Sequence, residues 1–263
     1  MKTNYTEDLV FQIALTKVPQ VGCVQARQLI EELGSAKAIF HSKRTDLERI
    51  NGIGEVRARS IKSYKNFIEA EKEVGFLTKH AIQPLFINDP DYPKRLLNCY
   101  DPPTLLFYKG AADLNSQKVV SVIGTRHHSD YGKQLTESLI SDLSSQQILI
   151  VSGLAFGIDA LAHKNALKKG LPTVGVLAHG LDTIYPPQHR SLAKEMVHAG
   201  GGLLTEFGSN QPPDKHHFPT RNRIVAGMCD AVIVIESGEK GGSMVTAELA
   251  NGYNKDVFAF PGK

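Results

Sequence analysis

Residue types that hold anions and stack on flat rings gather in one stretch, Lys215-His216-His217-Phe218-Pro219-Thr220-Arg221-Asn222-Arg223. Pro219 suits the first turn of a helix, so three cations and one aromatic ring cluster at a helix N-terminal end. A second stretch, Gly124-Thr125-Arg126, leaves a β-branched run and leads to Ser129, which is placed to cap the next helix. A cation beside a helix N-terminus makes an anion site, because dipole and amide groups favour the same charge. Cations hold phosphates while a ring stacks on an unpaired base of any identity, which is the chemistry of single-stranded nucleic acid. The competing use of Arg221 and Arg223 is to pair with carboxylates such as Glu206 and Glu236, and that is expected for one of the two.

Glycine-spaced backbone occurs in two more loops, Ser152-Gly153-Leu154-Ala155-Phe156-Gly157 and Gly238-Glu239-Lys240-Gly241-Gly242-Ser243. Neither completes G-x-G-x-x-G, and the second lacks the Lys-Ser/Thr that closes a P-loop, so dinucleotide and ATP fingerprints both fail. Asp159 and His163 stand four apart on one helix face, as a capping Asp with a hydrogen-bonded His or as a catalytic or metal pair. Cys23, Cys99 and Cys229 show no C-x-x-C spacing, which argues against a zinc knot or a disulfide framework. No catalytic residue, metal or cofactor is assigned.

These loops need rigid elements to hold them. From Lys118 the pattern alternates strand and helix: Val119 to Ile123, Tyr131 to Leu143, Ile148 to Val151, Gly157 to Leu167 and Thr173 to Leu177. It continues through Leu203-Leu204, Ala231 to Ile235, Ser243 to Ala250 and Val257 to Phe260. Continuous apolar runs between amphipathic helices predict a doubly wound, mostly parallel sheet covered on both faces. Ligands of such sheets bind beyond the carboxyl ends of the strands, where Arg126, Gly153 and the Gly238 loop fall. Residues 76–116 are punctuated by Pro and Asp and read as a connector with short strands. Residues 1–75 hold an internal repeat of period 32, with Val18 to Leu29 aligning with Ile50 to Ile61. Each copy reads as a helical hairpin, and stacking two buries faces that one cannot. The turn Gly52-Ile53-Gly54 is complete, whereas the first copy has Pro19-Gln20 where its first glycine belongs. Glycine amides at such a turn can approach a DNA phosphate, or the module can serve docking alone.

The chain has 263 residues, which suggests roughly two domains. Hydrophobic residues at 41% and charged residues at 22% fit a folded, soluble chain. A net charge of +3, and +2 within residues 1–75 (12 Lys/Arg against 10 Asp/Glu), makes any nucleic-acid site a local patch. No stretch approaches the roughly 18 apolar residues of a membrane span, and a signal peptide is not evident, so a cytoplasmic protein is expected.

Taken in order, the motifs G-T-R-x-x-S-x-Y-G, S-G-L-A-x-G-I-D-x-x-A-H, G-L-D-x-x-Y-P and F-P-x-R-N-R-I-x-A-G, then the Gly-Gly-Ser-x-x-Thr-Ala loop and F-A-x-P-G, resemble the DprA (Smf) family of DNA-processing proteins. The resemblance is dense over about 80–263, and the N-terminal module is similar to that family's sterile-alpha-motif-like domain. It implies an extended Rossmann-like fold that binds single-stranded DNA without catalysis, forms homodimers and loads RecA onto incoming strands in natural transformation. By position the implied pocket uses Gly124, Thr125, Arg126, Ser152, Gly153, Lys215, Phe218, Arg221 and Asn222, while the turn Ile50-Asn51-Gly52-Ile53-Gly54 with Ala58 resembles a helix-hairpin-helix motif and makes Gly52 and Gly54 a candidate secondary phosphate contact. Family members usually continue past the final P-G, often into a winged helix, whereas this sequence stops at Lys263. The alternative is a nucleotide phosphoribohydrolase, whose P-G-G-x-G-T-x-x-E is approached by Gly241-Gly242-Ser243-Met244-Val245-Thr246-Ala247-Glu248. There the proline is absent, and Glu248 stands two places after the threonine instead of three.

Overall fold

The computed structural model describes residues 8–262 and divides into two compact units. One runs through Asp89 and takes in Tyr100–Leu106; the other comprises Pro90–Cys99 and the chain from Phe107 onward.

The first unit is helical, with α1 (Asp8–Leu15), α2 (Cys23–Leu33), α3 (Ala36–His41), α4 (Arg44–Arg49), α5 (Gly54–Ser63) and α6 (Phe67–His80), followed by strand β1 (Gln83–Phe86). The repeat appears as the pairs α1–α2 and α4–α5, whose apolar faces bury Ile13, Leu29, Leu47, Ile53 and Ile61 almost completely. Gly52 has φ +77° and Gly54 φ +59°, a left-handed turn that favours glycine. Gln20, one period earlier than Gly52, adopts φ +63° without being glycine. Arg57 ties the two turns together, donating Nε–H to Gln20 O at 3.0 Å and Nη1–H to Gly52 O at 2.9 Å. Helix α6 runs across the boundary expected at residue 75 and closes only where Ala81 turns left-handed, at φ +50°.

The second unit contains α7 (Lys94–Leu97), most of β2 (Leu105–Gly110), β3 (Val119–Ile123), α8 (Asp130–Leu143), β4 (Leu149–Ser152), α9 (Ile158–Lys168) and β5 (Thr173–Val176). These lead to α10 (Arg190–His198), β6 (Gly202–Thr205), α11 (His217–Gly227), β7 (Ala231–Val234), α12 (Gly242–Gly252) and β8 (Asp256–Ala259). Its strands lie in the order β2-β6-β5-β4-β3-β7-β8, parallel except that β2 runs against β6. This is the mostly parallel α/β sheet that the uninterrupted apolar runs predict.

Alternation along β3 shows both faces covered. Val122 packs with Ile140, Ile150, Ile158 and Ala162 from α8, β4 and α9, while Ser121 on the other face donates its hydroxyl to Val225 O of α11 at 2.7 Å. Strand β3 has β4 on one side and β7 on the other, both parallel, so the connections turn opposite ways from it. A crevice opens at such a switch point, beyond the carboxyl ends. Cys23, Cys99 and Cys229 are free thiols. Among the described residues no helix is long and apolar enough to cross a membrane, and no acidic, histidine or cysteine cluster could hold a metal ion.

Candidate nucleic-acid interface

The crevice is a cavity of about 750 Å³ at the β3/β7 switch point. Gly124, Thr125 and Arg126 line it after β3, Gly153 and Ala155 after β4, and Gly241, Gly242 and Ser243 at the start of α12. Lys215, Phe218, Arg221 and Asn222 of the α11 segment close another side. Of the nine residues implied for the pocket, eight therefore meet in one cavity. Ser152 does not: it is wholly buried in β4 and its hydroxyl donates to Val122 O at 2.6 Å. Gly52 and Gly54 belong to the helical unit and line no part of this cavity.

The loops are packed so tightly that only hydrogen fits at several α-carbons. A Cβ at Gly124 would stand 2.6 Å from Ile158 Cγ1 and 2.8 Å from Glu236 O. Gly157, at φ +80°, lies against the Thr125 and Arg126 backbone, and Ile158 N–H donates to Thr125 O at 3.1 Å. Ser129 caps α8 as expected, accepting from Gly132 N–H at 3.1 Å. Glu236 braces that cap instead of pairing with an arginine, its Oε2 accepting from Ser129 N–H at 2.9 Å and from Ser129 Oγ–H at 3.1 Å. The carboxylate expected for Arg223 is present: its guanidinium pairs with Glu206, and both are largely buried.

The two arginines that face the cavity are put to different uses. Arg221 is 5% exposed and lies on the cavity floor. It donates from Nη1 to Gly153 O and Val176 O, and from Nε to Asn222 Oδ1 at 3.1 Å. Asp159 faces the same spot, since a Cβ at Gly153 would stand 2.7 Å from Asp159 Oδ2 and against the Arg221 guanidinium. Burial brings Arg221 down to about 10, against the pull of Asp159 and with Arg126 adding to the fall. It remains a cation at neutral pH. Burial pushes the Asp159 carboxyl up, opposed by the Arg221 charge and the Ala155 N–H. Asp159 thus sits beside a structural arginine on the cavity floor, its carboxyl accepting from the Ala155 N–H at 3.3 Å.

Arg126 is exposed and has no ion pair among the described residues. Its Cζ lies 5.5 Å from the centroid of the Phe218 ring, within cation–π range. Lys215 is exposed beside it in the same cavity wall. Helix α12 begins at Gly242 with no side-chain cap on its amides, and Asn222 Nδ2–H donates to Gly242 O at 3.3 Å. The arrangement offers two free cations, glycine backbone that permits close approach, and one half-buried ring. Sequence reasoning missed Tyr185, whose ring lies 6.0 Å from that of Phe218 and lines the cavity. The signal was an aromatic before Pro186 in the loop after a strand end.

His163 is fully buried in α9, and Thr173 settles its tautomer. The Thr173 hydroxyl gives its proton to Ile150 O at 3.0 Å, so at 2.7 Å it accepts from His163 Nδ1–H. Nε2 is left bare, without a partner in the protein interior. Burial, with His189 and Arg221 adding, lowers the imidazole to about 3. It is a neutral core histidine.

Fold and cavity together define a Rossmann-like α/β protein with a crevice lined by cations, glycine backbone and aromatic rings at the sheet's switch point. The family model for DNA recombination-mediator protein A matches residues 83–263, and the chain belongs to that family, the DprA/Smf proteins. Protein Smf of Synechocystis is 35% identical over 95% of this chain, which spans 64% of that relative's length. DNA processing protein A of Streptococcus pneumoniae superposes with TM-score 0.79 at 34% identity, covering 97% of this chain and 87% of that one. The structure of DNA processing protein A from Helicobacter pylori superposes with TM-score 0.63 at 35% identity, over 69% of this chain and 81% of that one.

Two outcomes follow from these assignments. Arg221→Met leaves Asp159 without its cation and two carbonyls without donors, and costs roughly 3 to 5 kcal/mol in denaturant unfolding. Arg126→Ala stays within about 0.5 kcal/mol of wild type; equal stability of all three proteins contradicts the division of labour. His163 carries a folded-state value of about 3 against 6.5 unfolded. Between these values the unfolded chain binds the extra proton, so stability falls on acidification below pH 6.5, by up to about 1.4 kcal/mol per unit. A pH series of unfolding midpoints has that slope in wild type and a shallower one in His163→Phe.

Proposed function

We propose that this chain binds single-stranded DNA in the cavity and acts as a non-enzymatic recombination mediator that protects incoming strands and loads RecA onto them. Phosphates lie on Arg126, Lys215 and the glycine loops, and a base stacks on Phe218. The observation that carries the reading is the unpaired Arg126 guanidinium set over the half-buried Phe218 ring. The Helicobacter pylori relative, described by its single-stranded DNA binding mode, supports it. A homodimer presents two such grooves and gains avidity on one strand through effective concentration. A secondary phosphate contact at Gly52 and Gly54, and a cytoplasmic site of action, belong to the same reading.

The enzymatic alternative, nucleotide hydrolysis, needs a free carboxylate over the ligand. Glu248 is exposed on α12 and does not line the cavity, and the carboxylates that do, Asp159 and Asp214, accept from the Ala155 N–H at 3.3 Å and the His216 N–H at 2.8 Å. Both observations favour binding over hydrolysis.

Anisotropy of labelled oligo-dT tests the proposal. Wild type prefers single strands to duplex, with a log–log salt slope of about −0.7 per neutralised phosphate. Phe218→Ala weakens binding by roughly 1 to 3 kcal/mol, and Arg126→Ala lowers both affinity and slope. Wild-type affinity in both variants refutes the site.

A further inference from the structure

Two further aromatic rings stand in the open beside the cavity. Phe156 is 42% exposed and Tyr185 45% exposed, and both line a second, narrower cleft that shares Arg126, Gly153, Phe218 and Arg221 with the first. All of them belong to the same unit.

A buried histidine braces each residue, at the Tyr185 backbone and at the Phe156 ring. Tyr185 N–H donates to His179 Nε2 at 3.1 Å, so that nitrogen is unprotonated and Nδ1–H donates to Gly180 O at 2.9 Å. Burial lowers the His179 imidazole and favours this neutral form. The His179 carbonyl in turn accepts from Thr205 Oγ–H at 2.9 Å. Phe156 packs edge-on against the His189 ring at 4.9 Å between centroids. His189 Nδ1–H donates to Leu154 O at 2.9 Å and braces a residue that is wholly buried at φ +57°, strained for a leucine. Buried hydrogen-bonded histidines and a strained backbone are spent on keeping two apolar rings where they face water. A loop that merely connects β4 to α9 needs none of this.

We infer that Phe156 and Tyr185 form an aromatic ledge that continues the DNA track, so that bases beyond the one on Phe218 stack on these rings past Arg126. The inference rests on the proposed single-stranded DNA reading of the cavity. Rings tolerate any base, and successive aromatic platforms beside cations are how single strands are held without sequence preference. Phe218 stands in the first turn of α11, which follows β6, and Tyr185 and Phe156 stand in the loops after β5 and β4, so the three rings gather at the carboxyl edge of the sheet.

The test compares oligo-dT lengths in the full chain. Phe156→Ala and Tyr185→Ala each weaken binding of a dodecamer about 5- to 100-fold and leave the salt slope at its wild-type value, because rings neutralise no phosphate. A trimer, which fills the cavity alone, loses affinity in Phe218→Ala and keeps it in Phe156→Ala, because Phe156 does not line that cavity. The sequence contains no tryptophan, so Phe156→Trp and Tyr185→Trp each carry a single reporter, and its fluorescence is quenched when the dodecamer binds. Those variants also decide the matter should an alanine variant melt at the assay temperature. Unquenched reporters, or alanine variants that bind the dodecamer like wild type while Phe218→Ala is weakened, overturn the ledge and leave the cavity reading intact. No single-strand binding in wild type overturns both.

Discussion

A guanidinium sealed from water must have its charge and its N–H groups answered within the protein, and Arg221 is such a group. Its donors reach the carbonyls of Gly153 and Val176, at the ends of two neighbouring parallel strands, and the side chain of Asn222. Asp159, at the start of α9, lies close by, and its charge opposes the fall that burial imposes on Arg221. One side chain thus fixes the distance between β4, β5, α9 and α11 at the edge where the cavity opens. It also dictates Gly153, since any Cβ there would strike the Arg221–Asp159 pair. The tight glycines of this crevice are consequences of that packing as much as of any ligand.

With the Arg221 donors taken up within the protein, the exposed positive charge offered to a ligand comes from Arg126 and Lys215. The Arg126 charge adds to the lowering of Arg221, and no ion pair among the described residues engages Arg126 itself. A cation of that kind over a ring is suited to a phosphate with an unpaired base beside it. Duplex DNA would present phosphates to the arginine but no base face to Phe218. The small net charge of +3 is consistent with recognition concentrated in one crevice.

Much of this was legible in the sequence, for identifiable reasons. Uninterrupted apolar strands between helices gave away a parallel sheet, and the strand-end rule then pointed to Arg126, Gly153 and the Gly238 loop before any geometry was known. Ser152 lies off the cavity because β4 runs one residue further than the apolar run suggests, which turns its hydroxyl to Val122 O of the neighbouring strand. Arg221 and Arg223 look alike in sequence, and only their partners in the fold show that one pairs with Glu206 while the other braces the cavity floor. Gln20 takes a left-handed turn that composition would assign to glycine, an exception made stable by Arg57. Tyr185 and Phe156 were invisible as partners because their meeting with Phe218 is a product of tertiary packing, with no common spacing to betray it.

The central claim is that the cavity between the β3, β4 and α11 loops, with its free arginine and its ring, is where the nucleic acid sits. A crystal structure with a bound thymidine hexamer tests it most directly. The account predicts a base flat on Phe218 with the flanking phosphates within hydrogen-bonding reach of Arg126 and Lys215. An empty cavity with the oligonucleotide held elsewhere, for example along the α1–α5 turns, would contradict it.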